Sequence, residues 1–512
     1  MAFTEFKQHP WKRENTHATY KASALAISPA PEYASSEILL ASLYRTIGFK
    51  EVSEGSVPQA GRTLDKRIQT LRDKGRDAPA GTTVDVNTWG AVLHGVLESP
   101  KLPNQSSKRF LQVTPLVPSM ATFSGSARLS SNSWPAGSLV RRMVWLGSKD
   151  KTEAVDLWRA LFDALTVSED DDVFARWLEE ECLAWGSHSV WGLVLPEEAD
   201  VALLGQDDFQ SIQFLPARQF VRDLRAIIGA KGVMTRRQWT SLLEAVLRMA
   251  AVSHVTWLCD VQARLWRCLV EALDGQGPVG PLQTRLHVFP DTPQYMIYGG
   301  KALHGLKDKA SGYLMSRLGI NTVLWSLEEA GIPYQGEITS TNGMAELCDL
   351  VRTKSDVLSR LGTWKAFSEL REKEARALNC KKGIGSNLLE FARHTLGQRQ
   401  TAAPLLRGYD QGYVLRKKGV NASSPWVVSL GPVSVLATVH CALAGMGGPR
   451  SIHRLGQHLA AYGVSVDRHD IARNDLGHQL RMLGLVLDSP DAESGMLLLP
   501  PFPAAFAKSK EE

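Results

Sequence analysis

The chain has 512 residues, of which 44% are hydrophobic and 22% are charged, and its formal net charge is +5. This length exceeds what one hydrophobic core usually organises, so we expect several domains, and the composition argues against a disordered chain. Six cysteines occur without a Cys-x-x-Cys pair or a zinc-type Cys/His spacing. That pattern argues against a disulfide scaffold and a zinc site, and it fits a reduced, cytoplasmic protein.

The first 150 residues are predicted to form a mixed α/β region. The segment Met1–Arg13 lacks the apolar stretch of a signal peptide. Apolar residues at helical spacing predict a helix over residues 36–50. Apolar and polar residues alternate over Phe110–Thr114 and Leu139–Leu146, which favours short strands between loops rich in serine, glycine and proline.

Residues 151–275 are predicted to form an acidic helical domain, and residues 281–400 a basic domain of mixed, largely helical structure. Residues 151–210 hold fifteen acidic and three basic side chains, whereas residues 351–425 hold fifteen basic and six acidic ones. A basic surface favours contact with nucleic acid, and an acidic surface favours contact with a basic partner. The same polarity fits docking between subunits, so both interpretations stay open.

The sequence contains no motif for a familiar catalytic chemistry: there is no GxxxxGK[ST] phosphate loop, no HExxH and no GxSxG. Tyr298–Lys301 (Tyr-Gly-Gly-Lys) is interpreted as a turn, and Glu390 with Arg393 and His394 as a surface salt bridge. We therefore predict no catalytic residue, no cofactor and no metal site. One alternative is a divergent metal-dependent nuclease or nucleotide-processing enzyme within residues 281–400, with Asp291 as its first acid.

Val427–Met446 is a mostly apolar run of twenty residues, which is long enough to cross a bilayer. The pair Gly431–Pro432 interrupts it and leaves a continuous helical part of about eleven residues, which is too short for a span. We therefore predict no membrane segment.

A compact set of elements is predicted near the end of the chain. Helices are predicted over Val433–Leu443, Ile452–Tyr462 and Asp467–Leu483. Asp467 is expected to cap the start of the third helix, and a glycine is expected to end the second and the third. Two short apolar strands, beginning at Leu485 and Met496, flank a polar turn and predict a hairpin.

This order of elements, over about residues 426–502, resembles the winged helix-turn-helix superfamily. The resemblance rests on element order and periodicity and covers roughly 15% of the chain. It implies that the third helix is the recognition helix for double-stranded DNA and that the hairpin is the wing. Asp488, Asp491 and Glu493 in the predicted wing depart from the family's pattern, because DNA-binding wings usually carry Lys or Arg.

Candidate DNA contacts lie on the outward face of the predicted third helix and in basic segments that precede it. Arginine and asparagine side chains reach base edges, and arginine, lysine and histidine contact phosphate. The candidates are Arg468, His469, Arg473, Asn474, His478, Arg481, Lys381, Lys382, Arg416, Lys417 and Lys418.

Taken together, these features predict a mostly α-helical, multidomain protein with a small mixed α/β N-terminal part and a C-terminal winged helix-turn-helix. We expect a non-catalytic DNA-binding or scaffold subunit of a multiprotein bacterial system that acts on DNA, with antiphage defence as one candidate. Its expected partners are double-stranded DNA and a protein subunit such as an ATPase or helicase. A pure protein-interaction scaffold stays open beside the enzyme alternative.

Overall fold

The structure is a computed structural model that is mostly helical, with a few short strands in its second half. The prediction of a mostly α-helical protein is confirmed. The described residues are 2–27, 36–57, 82–97, 114–123, 135–185, 189–198, 201, 203–397, 410–419, 421, 423–467, 471, 473–487 and 496–502.

All regular elements in the described parts of the first 235 residues are helices. Two 3-10 turns, Pro118–Thr122 and Lys231–Val233, lie between them. The helices are α1 (Ala2–Gln8), α2 (Ala18–Ala22), α3 (Ser36–Gly48), α4 (Val86–Leu97), α5 (Ala136–Gly147), α6 (Lys151–Leu165), α7 (Val173–Ala184), α8 (Gln206–Ser211) and α9 (Pro216–Gly229).

The strand predicted over Leu139–Leu146 is wrong, because these residues lie in α5. Val140, Met143 and Val144 are buried, and their three-four spacing places them on one side of a helix. The other predicted strand, Phe110–Thr114, falls outside the described residues except for Thr114. In the described parts of residues 1–150 there are helices and no strand, so the mixed α/β interpretation fails for them.

The centre of the fold is α10 (Arg236–Leu273), a helix of 38 residues that is about 57 Å long. Neither glycine nor proline interrupts this run of residues, and the helix is continuous. Thr235 and Gln238 form a capping box at its start. Among the described helices only α10 is long and apolar enough to cross a membrane, yet 94% of its most apolar window is buried inside the protein. Such burial is typical of the core helix of a soluble protein.

Further helices surround α10, and α3, α9 and the helix Leu303–Glu329 pack directly against it. Trp239 and Trp257 of α10 are fully buried. The helices that follow α10 are α11 (Gly280–Val288), α12 (Leu303–Glu329), α13 (Thr341–Thr353), α14 (Ser355–Arg360), α15 (Thr363–Lys373), α16 (Ala375–Leu378) and α17 (Gly383–Gly397).

One connected hydrophobic core runs from Phe3 to Leu498. It crosses the predicted divisions near residues 150 and 275, which both fall between helices. A smaller cluster gathers around Trp89, Met120 and Leu178. The parts of the chain separated by those divisions are therefore packed against one another through buried side chains.

The C-terminal elements form a helical group closed by a small sheet. The strands Arg450–Ser451, Leu497–Leu498 and Val486–Leu487 form an antiparallel sheet in that order, and Met296–Ile297 pairs in parallel with Val464–Ser465. The predicted first two helices are confirmed, and the two predicted strands pair antiparallel, whereas the turn between them lies outside the described residues. The elements are β1 (Met296–Ile297), β2 (Leu415–Lys417), β3 (Trp426–Val428), α18 (Pro432–Ala442), β4 (Arg450–Ser451), α19 (His453–Ala460), β5 (Val464–Ser465), α20 (Asp475–Met482), β6 (Val486–Leu487) and β7 (Leu497–Leu498).

A buried polar network joins this C-terminal group to α9. The Asp223 carboxylate accepts a hydrogen bond from the Tyr462 hydroxyl at 2.6 Å and lies 3.1 Å from Nε2 of His458. Nε2 of Gln219 donates to the same carboxylate at 2.8 Å. The Ser253 hydroxyl of α10 donates to the Tyr462 carbonyl at 2.8 Å. Because a buried carboxylate needs such partners, the network holds α19 and the residues after it in one position on the body.

The turn after α19 gives a test of this docking. Gly463 has φ +73°, and a Cβ there would lie 2.5 Å from the Tyr295 ring. We expect Gly463→Ala to lower the free energy of unfolding by about 2 kcal/mol, because left-handed strain and overlap with Tyr295 add together. Gly484 is the matched control, since its φ is +67° with open space around it; its alanine variant should cost about 1 kcal/mol. Equal losses in urea titrations of both variants would contradict the close contact with Tyr295.

Candidate nucleic-acid interface

The third helix of the C-terminal group starts later than the sequence predicts. α20 begins at Asp475, and its N-cap is Asn474, whose side chain accepts hydrogen bonds from the backbone N–H groups of Leu476 and Gly477 at 2.9 and 3.2 Å. The prediction that Asp467 caps this helix is wrong. Capping occupies the side-chain oxygen of Asn474, so only its NH2 group could donate to a base.

The shorter helix changes which candidates lie on it. His478 and Arg481 are exposed on α20, and Arg473 is exposed just before it. Arg468 and His469 lie outside the described residues, as does the predicted wing tip with its acidic side chains. Asp475 and Met482 share the exposed side with His478, and a guanidinium nitrogen of Arg481 lies 3.9 Å from the sulfur of Met496. The outer face of α20 is therefore less cationic than predicted.

A basic row of exposed side chains lies on a short sheet that precedes α18. In the antiparallel pair β2–β3, Arg416 lies opposite Val427, and Lys301 lies opposite the same Val427 from the other side through an antiparallel bridge. Directly opposed residues of antiparallel strands project from the same face. Lys418 follows Arg416 by two positions and returns to that face. Lys301, Arg416 and Lys418 are all exposed, and we call these three residues the basic row.

The basic row is joined to the start of α20. The Ser429 hydroxyl, directly after β3, donates to the Asp475 carboxylate at 2.8 Å, and Nε2 of Gln479 donates to the Leu430 carbonyl at 2.8 Å. Burial raises the pKa of Tyr413. A hydrogen bond with Arg416 lowers this pKa, and the negative charge of Asp475 raises it. Arg416 and the N-terminal end of α20 therefore belong to one local surface, with Asp475 as its negative member.

Lys417 and the pair Lys381–Lys382 lie elsewhere. Lys417 is half-buried opposite Trp426 on the other face of the β2–β3 pair. Lys381 and Lys382 are exposed just before α17, whereas the far end of α17 contacts β2 at Gly397. A helix of fifteen residues is about 22 Å long, so this pair is not part of the basic row.

Sequence reasoning missed Lys301, Arg450 and Arg454. Tyr298–Lys301 is a turn, as predicted, with φ +75° at Gly299, but the turn also brings Lys301 beside β3. Arg450 on β4 and Arg454 in the first turn of α19 are exposed. Arg450 and Arg454 could have been chosen as candidates from the sequence, because both flank the predicted start of the second helix. No nearby sequence pattern marks Lys301 as a candidate.

Glu390 and Asp291, two acidic residues considered in the sequence analysis, lie in the part of the chain that the structure describes. Glu390 accepts from His394 at 2.7 Å and pairs with Arg393, so the predicted salt bridge is confirmed; the hydrogen bond with His394 lowers the pKa of Glu390. Asp291 is an exposed loop residue. Within the described ranges, no group of three or more His, Cys, Asp or Glu side chains is placed to hold a metal ion.

Comparison with known proteins adds no relative to this picture. No protein-family model matches the chain, and no curated protein gives a significant match.

Proposed function

We propose that this protein is a non-catalytic DNA-binding subunit, which contacts duplex DNA through a C-terminal winged helix-turn-helix and the basic row beside it. The proposal rests on one observation. Three helices pack with the small sheet β4–β7–β6, and the basic row lies beside the N-terminal end of the third helix, α20. In this arrangement Lys301, Arg416 and Lys418 neutralise phosphates, which supplies affinity without sequence preference.

Fewer exposed side chains are available for contacts with bases than for contacts with phosphates. Arg473 and His478 are the exposed donors nearest the start and middle of α20, and they would reach base edges or phosphates from the end of the helix that enters a groove. A subunit that binds DNA in this way would act beside a protein that supplies energy or cleavage, such as an ATPase or helicase of a bacterial defence system.

Charge reversal on the basic row tests the proposal. We expect the double variant Lys301→Glu/Arg416→Glu to raise the Kd for a fluorescent duplex of random sequence by roughly 10- to 100-fold at about 50 mM salt. The slope of log Kd against log salt should fall by about 2, because two phosphate contacts are lost. Fluorescence anisotropy at several salt concentrations measures both quantities.

The matched control reverses two exposed arginines in the acidic part, Arg159→Glu/Arg176→Glu. It changes the net charge equally and should leave the Kd within about twofold. If the native chain shows no salt-dependent binding to duplex DNA, or if both double variants lose affinity equally, the proposed DNA surface is wrong.

A protein-interaction scaffold is the second candidate, and a specific observation favours it. Met482 at the end of α20 is 74% exposed and Leu487 on β6 is 48% exposed, which places two apolar side chains near the turn after the third helix. Exposed apolar groups of this kind favour contact with protein over contact with phosphate. Met482→Ser/Leu487→Ser should leave DNA binding unchanged under the first proposal and abolish partner binding under the second.

A further inference from the structure

Two adjoining cavities lie along α6. Their volumes are about 710 and 500 Å³, and both are lined by Ala160 and Ile228. α6 forms one wall along the whole length, and the end of α9 with the loops after α6 and α9 forms the other. We call this continuous depression the α6 groove. It is about as long as α6, whose fifteen residues span about 22 Å.

The floor of the α6 groove is apolar. It is formed by Leu157, Ala160 and Ala164 from α6 and by Ile228 and Met234 from the facing wall. Ala160, Ile228 and Met234 are only half-buried. Apolar surface that remains open to water at the bottom of a groove is stabilised when a partner covers it.

The residues that line the α6 groove include many carboxylates, and part of their charge is balanced inside the protein. Glu153 pairs with Arg225, and Asp171 lies 3.2 Å from Lys231 and 3.1 Å from Arg236. Lys149 lies 3.9 Å from Asp150, whose side chain caps α6. Each described cation that lines the groove is therefore already paired with a carboxylate.

Three carboxylates on the rim remain without a salt bridge to any described residue: Asp156, Asp163 and Asp170. All three are exposed. Asp156 and Asp163 are seven residues apart, so they lie on the same side of α6 about 10 Å from each other. Lysines or arginines seven residues apart on a second helix would meet this pair.

We propose that the α6 groove binds an amphipathic basic helix of a partner protein. The apolar face of that helix covers Ala160, Ile228 and Met234, and its cations pair with Asp156, Asp163 and Asp170, as in helix-in-groove recognition. Nucleic acid is disfavoured at this site because phosphate and the carboxylates repel each other. This interaction goes beyond the proposed DNA contact and uses none of its residues.

A peptide titration of the full-length protein tests the groove. The probe is an acetylated, amidated and fluorescein-labelled helix of about 18 residues, with leucines on one face and lysines seven residues apart at its edge. We expect a Kd on the order of 10 µM at low salt. A scrambled peptide of the same composition should bind at least tenfold more weakly, because it cannot cover the apolar floor and reach the carboxylates together.

Neutral variants of the rim separate this proposal from the DNA contact. Asp156→Asn/Asp163→Asn/Asp170→Asn should raise the peptide Kd at least tenfold and leave duplex binding within about twofold. The control changes three exposed carboxylates outside the groove, Glu180→Gln/Glu329→Gln/Asp356→Asn, and should leave the peptide Kd unchanged. Equal effects of the two triple variants, or equal binding of the ordered and scrambled peptides, would overturn the proposal. Neither result bears on the basic row.

Discussion

Replacing Arg236 with leucine is expected to lower the free energy of unfolding by about 3–5 kcal/mol. Arg236 is 2% exposed at the start of α10, and one of its guanidinium nitrogens donates to the Asp171 carboxylate at 3.1 Å. It also donates to the Thr166 carbonyl at 3.2 Å and to the carbonyls of Leu116 and Leu165. The variant leaves those carbonyls without this donor and leaves buried Asp171 with Lys231 as its one remaining cation among the described residues. Removing one partner of a buried ion pair is costly because the other charge stays buried.

Thermal unfolding followed by circular dichroism measures this effect, and we expect Tm to fall by roughly 5–10 °C. Arg237→Leu is the matched control, because Arg237 is the exposed neighbour on the same turn and its loss should cost less than about 0.5 kcal/mol. The Tm of Arg236→Lys should lie between those of the two leucine variants, because lysine keeps the positive charge but lacks the several N–H donors of the guanidinium group. If the two leucine variants unfold within about 1 °C of each other, the buried network does not stabilise the fold.

The C-terminal elements were predictable because their signals are local. Apolar residues at helical spacing between two glycines define α19, and Gly463 adopts φ +73° where a helix-ending glycine was expected. The hairpin followed from two apolar strands around a polar turn. Each of these features depends on residues within about ten positions, so the sequence carries the information without the rest of the fold.

The start of the third helix was predicted wrongly because the chain offers two good caps. Asp467 and Asn474 both have side chains that can accept from a helix N-terminus. Asn474 caps α20 in the structure, and Asp475 and Gln479 of that helix bond to Ser429 and Leu430, which lie 46 and 49 residues earlier in the chain. Such long-range contacts cannot be read from local periodicity.

The basic row was only half predictable for the same reason. Arg416 and Lys418 stand out as a run of cations, whereas Lys301 joins them through a bridge to Val427, 126 residues away. The α6 groove likewise depends on α9 closing against α6, so its acidic residues could be counted from the sequence but not placed on a rim. The strand predicted at Leu139–Leu146 was wrong for a different reason. A short apolar run is compatible with the periodicity of a helix and with that of a strand, and packing against α3 accompanies the helix in the structure.

Acidification is expected to destabilise the protein through His254, a residue of α10 that is 1% exposed and stacks on Trp257 at a ring distance of 5.9 Å. Burial, with a smaller effect from the charge of Arg142, lowers the pKa of His254 to about 3. The unfolded chain, with an ordinary histidine pKa near 6.5, binds a proton between those pH values that the folded protein does not bind. The contribution of neutral His254 is therefore complete above about pH 6.5 and is lost as the pH falls toward 3.

At about pH 4.5 this linkage amounts to about 3 kcal/mol. His254→Phe keeps a ring against Trp257 and removes the titration, so its urea midpoint should fall less between pH 7 and pH 4.5 than that of the native protein, by a difference of that size. His453→Phe is the control, because His453 is exposed on α19 and its loss should leave the pH dependence unchanged. If the urea midpoints of the native protein and of His254→Phe fall equally between pH 7 and pH 4.5, His254 is protonated in the folded state. Its burial would then not be the cause of the loss of stability in acid. A parallel loss would shift the cause of acid unfolding to carboxylates that are paired in the native fold, such as Asp171 beside Arg236.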